Sequence, residues 1–192
     1  MREIGSGAEA IIYLDNNKVV KKRIKKSYRI KEIDSTLRKT RTRTEAKILE
    51  KIPVKAPKLI ETDREETLKM NFIKGDKIRD VLNKKPELAE EIGEKVAAIH
   101  NAGIIHGDLT TSNMILKNEI YFIDFGLSFF SEKIEDKAVD IHLFKQALES
   151  KHYKIWEKAF KYFLKGYNKA KNYKQIMERF KIVEARGRYK KK

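Results

Sequence analysis

His106-Gly107-Asp108-Leu109-Thr110-Thr111-Ser112-Asn113, followed by Asp124-Phe125-Gly126, decides how this chain is read. A strand-like apolar run, Ile120-Tyr121-Phe122-Ile123, leads straight into the second motif. An Asp, an Asn five residues on and a second Asp beyond a short hairpin are the parts of a phosphate-handling site. The first Asp aligns a nucleophile or water, and the Asn and second Asp hold Mg²⁺ against nucleotide phosphates. The plain alternative is a polar helix-to-strand turn held by Asx hydrogen bonds. The arrival of Asp124 on schedule weighs against it, because the ordered pair of motifs seldom arises by chance.

At 192 residues the chain can bury one substantial core, as one domain or as two small lobes around a cleft. A hydrophobic fraction of 41% with regular periodicity argues against disorder. No apolar run reaches the ~18 residues of a membrane span, and the N-terminus lacks a signal-peptide core. Zero cysteines fit a reducing compartment and exclude thiolate metal sites, so the expected location is the cytoplasm. The formal charge of +16, from 44 basic against 28 acidic residues, favours polyanionic partners, nucleic acid among them. Heat-adapted composition would explain the density of charge but not its imbalance.

Along the chain, residues 1–24 read as a small antiparallel sheet with a glycine turn at Gly5–Gly7 and strands Ala10–Leu14 and Lys18–Ile24. A basic linker follows, then a helix over Ile33–Lys51 with Asp34 or Ser35 as candidate N-cap and Ala46, Leu49 and Ile52 toward the core. Pro53 and Pro57 end it, and Lys58–Asp63 with Thr67–Phe72 form a hairpin. The lobe boundary is placed at Ile73-Lys74-Gly75-Asp76, giving lobes 1–73 and 74–192. Leu88, Ile92, Val96 and Ile99 trace one helix face over Pro86–Asn101, ended by Gly103. Further helices are expected near Asp136–Glu149, Tyr153–Lys165 and Tyr173–Glu184. The predicted fold class is α+β and bilobal: a small antiparallel-sheet N-lobe with one long helix, and a mainly helical C-lobe. Clefts between lobes commonly hold small-molecule sites.

Gly5-Ser6-Gly7-Ala8-Glu9-Ala10 is a loop whose backbone N–H groups can approach phosphates, although a tight hairpin turn needs the same glycines. The next strand carries Lys21, suited to reach α- and β-phosphates; Lys22 competes, and alternation puts the two on opposite faces. A buried Lys needs a carboxylate. Glu45 is favoured over Glu32, Asp34 and Glu50 because it lies mid-helix, where the sheet meets it. Asp140 either braces the motif loop or is an ordinary first-turn Asp.

With these residues in view, the chain resembles, end to end, the small atypical Ser/Thr kinase of the KEOPS (EKC) tRNA-modification complex, of PRPK type. The resemblance is carried by Gly5–Ala10, Lys21-Lys22-Arg23, Lys26-Ser27-Tyr28-Arg29, Arg41-Thr42-Arg43-Thr44-Glu45-Ala46, His106–Asn113 and Arg186-Gly187-Arg188. It implies a minimal protein-kinase-like fold using ATP and Mg²⁺, beside the subunit that synthesises threonylcarbamoyladenosine in tRNA and the other KEOPS subunits. Fused forms exist in such systems, in which a chain like this is one half of a longer protein. Under this reading Asp108, Lys21 and Glu45 are the catalytic set. Gly5, Ser6, Gly7, Ala8, Glu9, Ala10, Ile12, Lys21, Asn113 and Asp124 meet the nucleotide, and Asn113 and Asp124 hold the metal.

Departures from ordinary protein kinases refine the expectation. Gly107 replaces the Arg that would pair with an activation-loop phosphate. Thr110 stands where a Lys usually meets the γ-phosphate, and Ala10 replaces the third loop glycine. No Ala-Pro-Glu separates Gly126 from Asp140, so a peptide platform is absent. The expected activity is therefore ATP hydrolysis coupled to a partner, with weak Ser/Thr autophosphorylation. Lys25, Lys26, Arg29, Arg41, Arg186, Arg188, Lys190, Lys191 and Lys192, interleaved with Tyr28 and Tyr189, are candidate tRNA contacts. Two other readings stand beside this one: a RIO-type kinase of ribosome maturation, and a catalytically silent tRNA-binding scaffold. Arg186-Gly187-Arg188 and Lys26-Ser27-Tyr28-Arg29 speak against the first. Retained Lys21, Glu45, Asp108, Asn113 and Asp124 speak against the second.

Overall fold

Alternating side chains and glycine turns build the N-terminal sheet in the computed structural model, which describes residues 1–188. The strands are β1 (Arg2–Ser6), β2 (Ala10–Asp15) and β3 (Lys18–Arg23), followed by helix α1 (Lys31–Lys51) and the hairpin β4 (Leu59–Thr62) and β5 (Thr67–Asn71). They form one five-stranded antiparallel sheet in the order β1-β2-β3-β5-β4. Asn16 and Asn17 take positive φ in the two-residue turn between β2 and β3, as a type I′ hairpin requires. On β3 the alternation separates buried Lys21 and Arg23 from exposed Lys18 and Lys22.

Beyond the sheet come β6 (Asp76–Lys77), the short α2 (Ile78–Val81), α3 (Leu88–Asn101), β7 (Ile104–Ile105), β8 (Met114–Leu116), β9 (Ile120–Phe122), β10 (Phe129–Phe130), α4 (Ile134–Lys151), α5 (Trp156–Tyr167) and α6 (Tyr173–Arg188). The expected helices are present within a few residues at each end. The cap at the start of α1 differs from the expectation. Neither Asp34 nor Ser35 caps it; Ile30 precedes the first turn, with no side-chain cap. Asp34 is fully buried instead, accepting the Lys26 N–H at 3.2 Å and Arg38 Nε at 2.8 Å. Its side chain therefore holds the β3–α1 linker onto the helix.

The two halves are stabilised differently. Among the described residues, Ala46, Leu68 and Met70 form the buried apolar cluster under the sheet, with Val19 and Leu59 packed against it. The helical half packs Ile92, Val96, Phe122, Phe144, Phe163, Tyr167 and many others into one continuous core. Burying each large apolar side chain contributes roughly 1.5–3 kcal/mol, so the helical half carries most of the apolar stabilisation. α3 and α5 cross backbone to backbone at Gly93 and Gly166: a Cβ on Gly93 would collide with the Phe163 carbonyl oxygen, and one on Gly166 with that of Glu90. α6 is fastened to α4 by Glu184, which bonds His142 and Lys145, and by Glu135, which pairs with Arg179 and, at 2.8 Å, with Arg186. Among the described residues no helix is long and apolar enough to cross a membrane.

Candidate active site

The motif loop is positioned from behind by Asp140 on α4. Its Oδ2 accepts the His106 N–H at 2.9 Å and its Oδ1 the Gly107 N–H at 3.0 Å. His100 Nε2 lies 3.1 Å from the same Oδ2, and Tyr167 stands 2.7 Å from His100 Nδ1. Of its two sequence readings, the brace is the one adopted. Burial works against the Asp140 charge, yet bonding to His100 and the loop amides prevails, so its pKa lies below the usual 3.8. A second brace fixes Thr111, whose hydroxyl is 3.0 Å from His152 Nε2 while His152 Nδ1 meets Asn83 Oδ1 at 2.7 Å.

Gly107 has a local reason beyond the missing Arg. Its φ is +77°, and a Cβ there would overlap the Leu127 carbonyl oxygen. The motif loop and the segment after Gly126 thus touch backbone to backbone, and Ser128 Oγ ties them by donating to the His106 carbonyl at 2.6 Å. The pairing of β7 with β10 extends the same join.

In front, β8 and β9 form the expected hairpin, with Met114 opposite Phe122, and the Ile123 N–H donates to the Asn113 carbonyl at 2.9 Å. Asn113 and Asp124 therefore emerge side by side. Asn113 Nδ2 donates to the Asp108 carbonyl at 2.9 Å and to its Oδ2 at 2.8 Å, which orients that carboxylate and leaves the amide oxygen of Asn113 available. Asp124 sits at φ +62°, a left-handed conformation uncommon for a non-glycine residue and typical of functional sites.

Lys21 crosses to meet them. Its Nζ is 2.7 Å from Glu45 Oε1, 3.0 Å from Glu45 Oε2 and 2.7 Å from Asp124 Oδ1. Burial disfavours its charge, but the two carboxylates outweigh it and its pKa is raised. Asp124 is likewise disfavoured by burial and held below the normal range chiefly by Lys21. The structure selects Lys21 over Lys22, which is exposed near Glu66, and Glu45 over Glu32, Asp34 and Glu50. Arg23, which the sequence marks only as part of Lys21-Lys22-Arg23 and without a role, shares Glu45 through Nη2 at 2.6 Å and donates to Thr42 at 3.1 Å. The signal was there: Arg23 lies two residues from Lys21 and so on the same strand face.

Two adjoining cavities meet at Gly5, Ile12, Lys21 and Asp124. The first, of 410 Å³, is walled by apolar side chains, including Val19, Met70, Ile73, Ile115 and Ile123, and is lined also by Glu45 and Asn113. Lys77, also missed in the sequence, edges it and donates to the Ser112 carbonyl at 3.1 Å. The second, of 360 Å³, is lined by Gly5–Ala10, Lys21, Arg23, Arg41, Asp108, Asp124, Gly126 and Leu127. A larger hollow of 610 Å³ between the end of α1 and α3 contains none of the motif residues. The oxygen donors of Asn113 and Asp124, two ligands beside a cation-lined cavity, suit a hard divalent ion that completes its shell with phosphate and water.

The nucleic-acid candidates divide. Lys25 is exposed and Lys26 partly so. Arg29 and Arg41, placed among the outward cations by sequence, turn inward: both contact Glu9 at 2.8 Å. Arg186 is paired with Glu135. The side chain of Arg188, and Lys190, Lys191 and Lys192, lie outside the described residues.

A small sheet and a helical bundle meeting at a Lys–Glu pair, an Asp–Asn loop and an Asp–Phe–Gly turn define an enzyme of the atypical protein-kinase class. A RIO-domain family model matches residues 12–139, more than half of the chain. The KEOPS complex subunit Bud32 of Pyrococcus abyssi is 43% identical over 99% of this chain and 97% of its own. The probable serine/threonine-protein kinase BUD32 homolog of Archaeoglobus fulgidus is 42% identical, over 95% of this chain and 94% of its own. A probable bifunctional tRNA threonylcarbamoyladenosine biosynthesis protein of Methanosarcina acetivorans is 43% identical over 97% of this chain, which spans 35% of that longer protein. The chain belongs to the RIO-domain family of atypical kinases and, within it, to the Bud32 group. The RIO class named by the second sequence reading is thus the matching family model, while end-to-end relatives carry the name of the first.

The buried imidazoles set a pH dependence. Burial pushes His106, 1% exposed beside Phe122 and Phe125, below its usual 6.5, and does the same to His152. The unfolded chain takes up protons near pH 6.5 that the folded chain takes up only at lower pH. Their contribution is full above 6.5 and is lost as the pH falls through the folded values; that of Asp140 persists until below 3.8. Urea midpoints should be level from about pH 8 to 7, decline as the pH falls below about 6.5, and decline further below about 4. A midpoint at pH 5 equal to that at pH 7.5 would contradict the neutral-imidazole account.

Proposed function

We propose that the chain is a Mg-ATP-dependent atypical kinase acting mainly as an ATPase, as a subunit of a KEOPS assembly that makes threonylcarbamoyladenosine in tRNA. Residues 1–73 and 74–192 serve as its two lobes. The observation that carries the reading is Lys21, bonded to Glu45 behind it and Asp124 ahead of it, with Asp108 and Asn113 beside them. The apolar cavity takes the base and ribose; Gly5, Ser6, Gly7, Ala8, Glu9, Ala10 and Ile12 cover the phosphates. Lys21, steadied by Glu45, holds the α- and β-phosphates. Asp108, oriented by Asn113, aligns the attacking water and accepts its proton. Asn113 and Asp124 hold Mg²⁺, which when bound offsets charge on the transferring phosphoryl group.

Water is favoured as acceptor over a protein hydroxyl because the segment from Gly126 to α4 is short and tied down at Gly107 and Ser128. Weak autophosphorylation remains a side activity. The synthase subunit and other KEOPS subunits are the proposed partners, in keeping with the names of the relatives, and the fused relative supports the synthase in particular. Transfer RNA is the proposed polyanion, met by Lys25, Lys26 and the C-terminal cations, in cytoplasm. Phosphate release from Mg-ATP should be slow for the chain alone and rise severalfold when the synthase subunit and tRNA are added. Rates indifferent to both additions would remove the coupled-ATPase reading.

A further inference from the structure

Three cations line the cavity beside the glycine loop, and two are fully committed. Lys21 is held by Glu45 and Asp124, and Arg23 by Glu45 and Thr42. The third, Arg41 on α1, is held loosely. Its Nη1 is buried and 2.8 Å from Glu9 Oε2, yet out of line for a hydrogen bond, so the contact is ionic only and that buried nitrogen lacks a hydrogen-bond partner. Glu9 does not depend on it alone. Its other oxygen accepts Arg29 Nη2 at 2.8 Å, and that bond is the chief reason its carboxyl stays below the usual 4.5. Arg41 can therefore leave Glu9 still paired with Arg29, whereas moving Lys21 would break its bonds to Glu45 and Asp124, and moving Arg23 its bonds to Glu45 and Thr42.

The motif loop itself supplies no cation. Asp108-Leu109-Thr110-Thr111-Ser112-Asn113 carries none, and Thr110 occupies the place of the usual lysine. A terminal phosphoryl group lying between the glycine loop and Asp108 would need positive charge on its equatorial oxygens during transfer. We propose that Arg41 is a catalytic residue of this site, exchanging Glu9 for the terminal phosphate of the bound nucleoside triphosphate and supplying the charge that the motif loop omits. This rests on the nucleotide reading of the site and adds to it a phosphate-specific contact from α1. Glu9 then acts as a counter-ion that holds Arg41 at the cavity edge until the phosphate arrives.

The test compares binding of Mg-ADP and of the non-hydrolysable β,γ-imido triphosphate, by calorimetry on the full chain, with phosphate release from Mg-ATP. Arg41→Gln should weaken the triphosphate analogue about tenfold through loss of a charge-assisted pair, with ADP within about twofold. Phosphate release should fall about 10²-fold, and Arg41→Lys should recover part of it. Glu9→Gln, which removes the counter-ion from Arg41, should tighten the triphosphate analogue relative to ADP. Equal weakening of ADP and the triphosphate in Arg41→Gln, or the same loss in Glu9→Gln, would overturn the proposal by making the pair a structural latch. Wild-type protein that binds neither nucleotide would overturn the nucleotide reading itself, and this proposal with it. Melting temperatures of the three variants separate unfolding from lost contact; Arg41→Lys serves if Arg41→Gln does not fold.

Discussion

Asp124→Asn is expected to reduce phosphate release from Mg-ATP by about 10³-fold while leaving the melting temperature within a few degrees of wild type. The backbone at this position has φ +62°, which Asn adopts more readily than most residues. An amide oxygen in place of Oδ1 can still accept from Lys21, and Lys21 keeps Glu45 at 2.7 Å, so no buried charge is stranded. What disappears is the anionic oxygen proposed to bind Mg²⁺ beside Asn113. Phosphate release and thermal unfolding, measured together, separate the two effects. A variant retaining a tenth or more of the wild-type rate would show that Asp124 is not the metal ligand.

Asp140→Ala should instead act through stability. It removes the acceptor for two loop amides, His106 N–H and Gly107 N–H, and the partner of His100; His100 and His106 are buried and Gly107 is partly so. Leaving such donors unsatisfied costs about 3–5 kcal/mol in total, which for a chain of this size lowers the melting temperature by roughly 10 °C. Activity should fall as well, because the same loop carries Asp108. Urea unfolding of wild type and variant gives the difference directly. A loss under about 1 kcal/mol would mean that the loop is held elsewhere, with Ser128 and His152 as the remaining ties.

How much of this was legible beforehand depended on how local each feature is. The strands of the sheet and helices α1 and α3 to α6 follow from period-two and period-3.6 patterns, and turn residues mark their ends. β7 and β10 are two residues each, too short to carry a period, and exist because the Gly107–Leu127 contact brings their backbones together. The inner face of α1 presents Asp34, Thr42 and Glu45 beside Ala46 and Ile48, so its apolar pattern marks only the C-terminal half of that face. Asp34 looked like a cap because Asp usually caps. Here it is drawn into pairs with Arg38 and the Lys26 amide, where burial makes each bond worth more than a solvent-exposed cap.

The sequence by itself determined the ordered motifs of Asp108, Asn113 and Asp124, the α+β class and the excess of positive charge, because each is written in neighbouring residues. Only the tertiary structure decided which cation serves the site and which is spare. Lys21 is 24 residues from Glu45 and 103 from Asp124, and only packing of the sheet against α1 and across the cleft brings them within 2.7 Å. The same packing turns Arg41 from an apparent surface cation into a neighbour of the cavity beside the glycine loop. Charge pairing is a property of distance and burial, and neither can be counted along the chain.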